Sequence, residues 1–372
     1  MDATAVPANR GGVGRYVDAL VANLVGSITI ACQSRDAAHY GRIAPNARIL
    51  AQSSAITSVP LRLLWEQIFL PRLAASVSAQ IIHSPHYTIP LLSRKRHVVT
   101  FHDGTFFTHP AAHGRLKRTF FSWWMRRSSR RASTIIVPSL ATAQALAEAL
   151  DMSVDQFTVI HLGVDRAVFC PPSLDEVTRD ASEWGLSSRQ WVAFLGTIEP
   201  RKNVPALVRA YRQTVRDLVR ADPEANTPWL VIAGADGWET GLDAELAQVE
   251  RPAHVVRLGY VPVDSLRSLL GGAALVVYPS LGEGFGLPVL EAMSCGAPVL
   301  TTTRLSLVEV GGDAVAYTDV DDRSISAAMT SLLQDDDRRA DLSIQGVLRA
   351  QTFTWLKCAS LHWDAYRKAV ER

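Results

Sequence analysis

Residues 278–299 read YPSLGEGFGLPVLEAMSCGAPV. An apolar run, Ala274–Tyr278, leads in, and Gly282, Gly284 and Gly286 follow. Leu287-Pro288 then opens a helical stretch, and Pro298–Thr302 is a second apolar run. A proline in the first turn of a helix costs no hydrogen bond. Short apolar runs without alternation are the mark of strands buried on both faces. Glycines let backbone N–H groups approach a ligand closely, and the helix N-terminus adds positive potential. The stretch therefore predicts a site for an anion such as a diphosphate. Glu283 in the loop and Glu291 in the helix can accept hydrogen bonds from hydroxyls, which suits a ligand with sugars at both ends. Capping and a salt bridge would account for two isolated glutamates, but the glycine loop between them favours binding.

Outward from this unit the same alternation covers the chain. The first half carries candidate strands at Ser27–Cys32, Gln80–His83, His97–Phe101, Thr134–Pro138 and Phe157–His161. The second adds Trp191–Leu195, Trp229–Ala233, His254–Leu258 and Ala314–Tyr317. After Asn203, Val204, Leu207, Val208, Tyr211, Val215, Leu218 and Val219 share one helix face, with Arg209, Arg212, Arg216 and Arg220 opposite. That spacing makes the arginines a solvated face in preference to a nucleic-acid stripe. Alternating β and α units predict an α/β protein with two doubly wound parallel sheets. Ligands on such sheets bind beyond the carboxyl ends of the strands. Periodicity lapses near Gly163–Pro172, a candidate linker, and the aromatic stretch Trp355–Tyr366 is a candidate helix returning to the first domain.

Three further motifs sit at strand ends or helix starts. GTIEPRKN, residues 196–203, follows Trp191–Leu195 and offers an arginine fork, Arg201, beside a lysine point charge, Lys202, a match for the two anionic groups of a diphosphate. Cations at a helix start oppose its dipole, so an anion is expected to compensate them. RGGVGRY, residues 10–16, supplies Gly11, Gly12 and Gly14 before the apolar face of Tyr16, Leu20 and Leu24, but it is not GxGxxG and no clear strand precedes it. VVTFHD, residues 98–103, places His102 and Asp103 at a strand end. The acidic string DVDD, residues 319–322, precedes a helical stretch and reads as an N-cap in preference to a metal site.

Bulk properties limit the classes open to it. At 372 residues, 48% hydrophobic and 20% charged, the chain is globular and long enough for two domains. Cys32, Cys170, Cys295 and Cys358 are scattered, which argues against a zinc site or a disulfide framework. No signal-peptide pattern and no apolar run of about 18 residues appear, so the expectation is a cytoplasmic protein. Residues 1–180 carry 19 Lys and Arg against 12 Asp and Glu, and the remainder carries 19 against 24. The stretch Arg115–Arg131 interleaves Arg115, Lys117, Arg118, Arg126, Arg127, Arg130 and Arg131 with Phe120, Phe121, Trp123 and Trp124. A basic aromatic helix of this kind suits peripheral contact with an anionic membrane, and a core helix with solvated arginines suits it as well.

Taken together, the glycine loop, His102, Ser139, GTIEPRKN, Gly259-Tyr260-Val261 and the two glutamates eight positions apart resemble the retaining GT-B glycosyltransferases. The likeness is to family 4, in particular its mannosyltransferase branch. It implies two Rossmann-like domains facing across a cleft. Residues 1–165 would bind the acceptor, 166–352 the nucleotide sugar, and the helix in 353–372 would cross back to the first domain. The family's opening strand has no counterpart before Gly11-Gly12, and Val308 stands where the family more often has proline. By the same resemblance His102, Arg201, Lys202 and Glu283 are catalytic. Arg201 and Lys202 would hold the donor diphosphate, Glu283 the donor sugar, and Glu291 the ribose hydroxyls. Gly11 and Gly12 would approach the diphosphate or the acceptor, and His102 would bond the sugar's 6-hydroxyl. Tyr260 and Val261 would lie against the base, and Gly284, Phe285, Gly286 and Leu287 would bind the donor.

The resemblance further implies hexose transfer, first of all mannose from GDP-mannose, to a glycan or lipid-linked acceptor. It also implies attack on the face from which the leaving group departs, with no metal and no cofactor. UDP- or ADP-glucose and UDP-GlcNAc are the alternative donors. A non-catalytic relative would be expected to lose the cations or the paired glutamates, and all are present. An NAD enzyme needs a GxGxxG after a strand and a sugar phosphorylase a pyridoxal lysine; neither motif is found.

Overall fold

The computed structural model describes residues 1–8, 10–108, 110, 114–186 and 190–371. The chain divides into two compact units, Met1–Gly163 with Phe353–Arg372, and Val164–Thr352.

In the first unit six strands form, β1 (Thr29–Gln33), β2 (Arg48–Gln52), β3 (Ile81–Ser84), β4 (Arg96–Thr100), β5 (Thr134–Val137) and β6 (Phe157–Val159). β1 and β2 pair in parallel, and β3-β4-β5-β6 make a separate parallel sheet in that order. The first residues of the chain link the two. Asp2 N donates to His83 O at 2.9 Å, Ala3 N to Ala31 O at 2.8 Å, and Ala31 N to Met1 O at 3.0 Å. The strand missing ahead of the glycine loop is thus represented by a single bridged pair, Asp2 with Ala31. β2 was not expected. It lies at the sheet edge, exposed or half-exposed along its length, so it lacks the apolar run that marks the others.

One core packs Ile89, Val99, Phe101, Met125, Val137 and Leu146, and a second packs Ala31, Ile56, Trp65, Leu70 and Ile82. The helix Arg115–Arg131 contributes Met125 to the first core and buries Trp124, while Phe121 packs against that core. Its outward face keeps Arg115, Leu116, Lys117, Trp123, Arg126, Arg127, Arg130 and Arg131. Trp124 is therefore a core residue, and Trp123 is the exposed aromatic of this helix. The C-terminal helix Trp355–Glu371 buries Cys358, His362, Ala365, Tyr366 and Ala369, and Arg96 Nη1 donates to Ala369 O at 3.1 Å.

The second unit holds β7 (Trp191–Leu195), β8 (Trp229–Ala233), β9 (Val255–Gly259), β10 (Leu275–Tyr278), β11 (Val299–Thr302) and β12 (Ala316–Thr318). Their spatial order is β12-β11-β10-β7-β8-β9, all parallel. Counted from β7, this is the doubly wound order 3-2-1-4-5-6, which reverses between β7 and β10. The helix Val204–Ala221 buries Val204, Leu207, Val208, Tyr211, Val215 and Leu218, each contributing roughly 1.5–3 kcal/mol. On its other face Arg209 pairs with Glu245 at 2.8 Å and Asp322 at 3.0 Å, while Arg216 and Arg220 are exposed to solvent. Asp321 accepts from Ser324 N at 2.9 Å and caps the helix Asp322–Leu333, as the acidic string indicates.

Gly163 tests how closely the C-terminal segment is seated. A Cβ there would stand 2.2 Å from Trp355 N and 2.5 Å from the Thr354 carbonyl carbon, both backbone atoms. Gly163→Ala is expected to lower stability by about 1–3 kcal/mol through overpacking. Gly41→Ala, inside the helix Ala37–Ile43 with nothing within 4 Å, should raise it by up to about 1 kcal/mol. Thermal melts of the two variants check this, and equal melting points would contradict the close approach at Gly163.

Candidate functional site

The reversal of strand order in the second unit sets the loops after β7 and β10 side by side. Beyond β7 the chain makes one tight turn, Pro200–Lys202, and Asn203 enters the next helix at φ +59°. That turn aims Arg201 and Lys202 at the loop after β10. Arg201 Nη1 donates to Glu283 Oε2 at 2.5 Å and to Gly282 O at 2.7 Å, and Nη2 donates to Glu199 Oε1 at 2.6 Å. Lys202 Nζ donates to Glu283 Oε1 at 2.6 Å and also to the Tyr278 hydroxyl. Tyr278 and Ser280 donate to the same Oε1 at 3.0 and 2.6 Å. Burial alone would raise the Glu283 pKa, but Arg201 and Lys202 hold it down, at about 2 against an ordinary 4.5. Burial lowers Lys202, and Glu283 opposes that shift. Burial and then Glu283 raise the Tyr278 phenol well above its usual value.

The glycine loop itself is pinned from three sides. Leu281 N donates to Arg201 O at 2.8 Å, and the Thr302 hydroxyl donates to Ser280 O at 2.7 Å. The Ser306 hydroxyl lies 2.8 Å from both Glu283 O and Phe285 O. Gly286 sits at φ +104° immediately before the helix Leu287–Ser294, a conformation that favours glycine. Glu291 is buried in that helix, Phe285 and Gly284 are buried, and Leu287 is half-buried at its start. At the end of β9, Gly259 turns the chain at φ +64°, leaving Tyr260 exposed and Val261 buried.

In the first unit, Gly11 and Gly12 are exposed, and a Cβ at either would meet nothing within 4 Å. Protein packing therefore does not demand glycine there. Arg10 fixes the loop by pairing with Asp18 and with Asp36 at 2.9 Å, its guanidinium lying over the Tyr40 ring. His102, two residues beyond β4, donates from Nε2 to Pro85 O at 2.7 Å. A carbonyl only accepts, so the proton is on Nε2. Burial lowers the pKa of this imidazole and keeps Nδ1 an acceptor.

The structure thus brings Arg201, Lys202 and Glu283 into one cluster, with Gly284, Phe285, Gly286, Leu287 and Glu291 on the loop and helix that continue from it. Gly11, Gly12 and His102 belong to the first unit. The anions that compensate Arg201 and Lys202 are within the chain itself, Glu283 and Glu199. Tyr278, Ser280, Glu199 and Ser306 were not singled out. The first two lie within the quoted stretch 278–299 and Glu199 within GTIEPRKN, but their meeting depends on strand order. Among the described residues, no three His, Cys, Asp or Glu side chains group as a metal site.

A family model for group 1 glycosyl transferases matches residues 179–348, and one for glycosyltransferase family 4 matches residues 10–168. The chain is 32% identical over 289 residues to O-antigen chain mannosyltransferase B of Escherichia coli, across 77% of this chain and 74% of that protein. It is 27% identical over 292 residues to the serotype-specific mannosyltransferase WbdA of the same species, where it spans only 33% of the relative. The crystal structure of Anabaena Alr3699/HepE in complex with UDP and glucose superposes with a TM-score of 0.76, covering 98% of each chain at 15% identity.

Glu283→Ala should cost about 3–5 kcal/mol at pH 7, because it leaves the buried Lys202 without its carboxylate and Arg201 with only Glu199 of its two. A carboxyl whose pKa is lower in the folded state stabilises above its unfolded value, and that contribution is lost as pH falls through the folded value. The stability gap between parent and variant should therefore be constant above about pH 5 and close between 4.5 and about 2. Denaturation curves across that range check it; a gap independent of pH would show that Glu283 is not the ion holding the cluster.

Proposed function

We propose that this chain, which belongs to glycosyltransferase family 4 and has its two-domain GT-B fold, transfers mannose from GDP-mannose to a glycan or lipid-linked acceptor. That it is a glycosyltransferase follows from the family; the sugar, the nucleotide and the acceptor are our reading. The observation that carries it is the Arg201–Lys202–Glu283 cluster at the reversal point of a 3-2-1-4-5-6 sheet, where such sheets bind their ligands. Two relatives named mannosyltransferases support the choice of sugar.

Departure of a nucleoside diphosphate builds negative charge on its outer phosphate while an oxocarbenium-like sugar forms. In this proposal Arg201 exchanges part of its carboxylate contacts for the diphosphate, with Lys202 and the helix start after Gly286 adding positive potential. Glu283 accepts from the sugar, Glu291 from the ribose, and the backbone at Tyr260 and Val261 meets the base. Gly11 and Gly12 give close access to backbone N–H groups, and Nδ1 of His102 accepts from a sugar hydroxyl. The reaction runs with retention, without metal or cofactor: the acceptor attacks on the leaving-group face, and a phosphate oxygen takes its proton.

The outward face of Arg115–Arg131, with Trp123 and the strongly exposed Leu116 among its cations, suits an anionic membrane carrying a lipid-linked acceptor. We place the protein in the cytoplasm, peripheral on the inner membrane face. No helix among the described residues is long and apolar enough to cross a bilayer.

Two measurements test this function. In a thermal-shift panel of GDP, UDP and ADP, GDP at 100-fold over its dissociation constant should stabilise by about 2.7 kcal/mol. No shift with any of the three would sink the reading, and a shift with UDP alone would move the donor to a UDP-sugar. Joint replacement Arg201→Ala, Lys202→Ala should abolish the shift. Because it also strips Glu283 of its partners, Arg201→Lys is the companion variant: it keeps the charge, loses the fork, and should weaken binding about tenfold. Flotation with anionic liposomes at low salt tests the membrane face. Binding should weaken when Arg126, Arg127, Arg130 and Arg131 are changed to glutamine, and a parent protein that stays unbound would remove the proposal.

A further inference from the structure

Five buried side chains from separate parts of the first unit form one hydrogen-bonded chain, and chemistry fixes its direction. His362 Nδ1 lies 2.8 Å from Cys358 O, which only accepts, so Nδ1 carries the proton. Burial pushes this imidazole down to about 4, so it is neutral and its Nε2 is an acceptor. The Tyr16 hydroxyl, 2.7 Å away, must donate to it. The Tyr16 oxygen then accepts from Thr100 at 3.0 Å, and the Thr100 oxygen accepts from His83 Nε2 at 2.9 Å. His83, also kept neutral by burial, uses Nδ1 to accept from the Tyr366 hydroxyl at 2.8 Å. Each donor in the series has one acceptor, so the chain is complete without a buried charge.

The middle of this chain passes close to His102. Thr100 closes β4 two residues before it, and Tyr16 lies in the helix Gly12–Asn23 that follows the exposed glycines. The Tyr16 ring meets the His102 ring edge-on, with centroids 4.9 Å apart and planes at 79°. The hydrogen bond to Pro85 O holds only Nε2, and the Tyr87 ring, with its centroid 6.3 Å away, is the more distant neighbour, so the imidazole keeps some freedom to tilt. The edge of a fully buried Tyr16 removes this freedom, and Tyr16 is itself held at its hydroxyl by two partners.

We infer that Tyr16 is a positioning residue for His102, and that His362 of the C-terminal helix, with Thr100, orients Tyr16. The inference rests on the proposal that His102 bonds a sugar hydroxyl. An acceptor atom aimed correctly counts in the transition state, where a displacement on the order of 1 Å can cost 100-fold. The expected signature is therefore a loss in kcat with little change in KM.

A double-mutant cycle on turnover of the nucleotide sugar separates the possibilities, with every variant assayed below its melting temperature. Tyr16→Phe keeps the ring and loses the hydroxyl, and should lower kcat about tenfold with KM within about twofold. His102→Ala should lower kcat further, and adding Tyr16→Phe to it should change nothing more. Independent, multiplying effects would overturn the positioning role and leave the His102 reading standing. A harmless His102→Ala would overturn both. Should Tyr16→Phe not fold, two variants of His362 carry the same test. His362→Gln, which offers an acceptor to Tyr16, should retain kcat within about threefold, and His362→Leu should fall as Tyr16→Phe does. Equal kcat for the two would overturn the inference. In 15N-histidine spectra, His102 should show the Nε2–H tautomer in the parent and a shifted, broadened signal in Tyr16→Phe; an unmoved signal would also overturn it.

Discussion

The Glu283 carboxylate is the constraint on which the second unit's site depends. Arg201 and Lys202 reach it from the loop after β7, and Tyr278 and Ser280 from the end of β10 and the loop beyond. The reversal of strand order brings those loops together, and this carboxylate keeps them there. Removing charges from water costs several kcal/mol per ion, which attraction offsets only with good geometry and further hydrogen bonds. Both conditions are met: Arg201 spans Glu283 and Glu199, Lys202 takes the second Glu283 oxygen, and two hydroxyls complete it. Two cations face two carboxylates, so the cluster is neutral as it stands.

That neutrality bears on what can bind. A ligand with one negative charge gains little by displacing one of the carboxylates from Arg201, because it replaces one ion pair by another. A diphosphate brings two linked anionic groups, and the second would find the helix start after Gly286 without a further loss of translational freedom. The cations are held in place before any ligand arrives, but on carboxylates, so an anion would have to take over a contact that Arg201 now makes with Glu283 or Glu199. The same feature makes Lys202 a poor candidate for a lone phosphate contact, since it is buried and already shared between Glu283 and Tyr278. Arg201, with its planar fork and slightly greater exposure, is the better placed of the two to change partners.

Much of the fold was legible in the sequence, for a physical reason. β7, β8, β10 and β11 are buried on both faces, so their residues had to form unbroken apolar runs. β2 carries no such requirement at the edge of its sheet, and RILAQ passes for a loop. The residues of the Arg201–Glu283 cluster were legible because glycines and charges at strand ends have few structural reasons to occur together. Their mutual contacts were not. Arg201 and Glu283 are 82 residues apart and Tyr16 and His362 are 346 apart, and nothing local in either sequence names the other. The aromatic stretch around Trp123 and Trp124 shows the same limit. Adjacent tryptophans on a helix face different ways, and the core decides which one water sees.

Both units rely on polar chains to position short, irregular pieces of backbone. Pro200–Lys202 is a single turn, residues 279–286 form no regular element, and His102 stands in the irregular segment between β4 and the helix Thr105–Thr108. Segments of this kind have no ladder of their own to stiffen them. In the second unit the stiffening is ionic, so it weakens when Glu283 is protonated. In the first it is a relay of neutral groups that lacks any charge to screen, and it persists as long as the two imidazoles stay neutral. Because the members come from distant parts of the chain, neither arrangement can close until its sheet has formed. A substitution within either chain should therefore disturb the aim of a side chain before it disturbs the sheets, whose strands are held by apolar burial elsewhere.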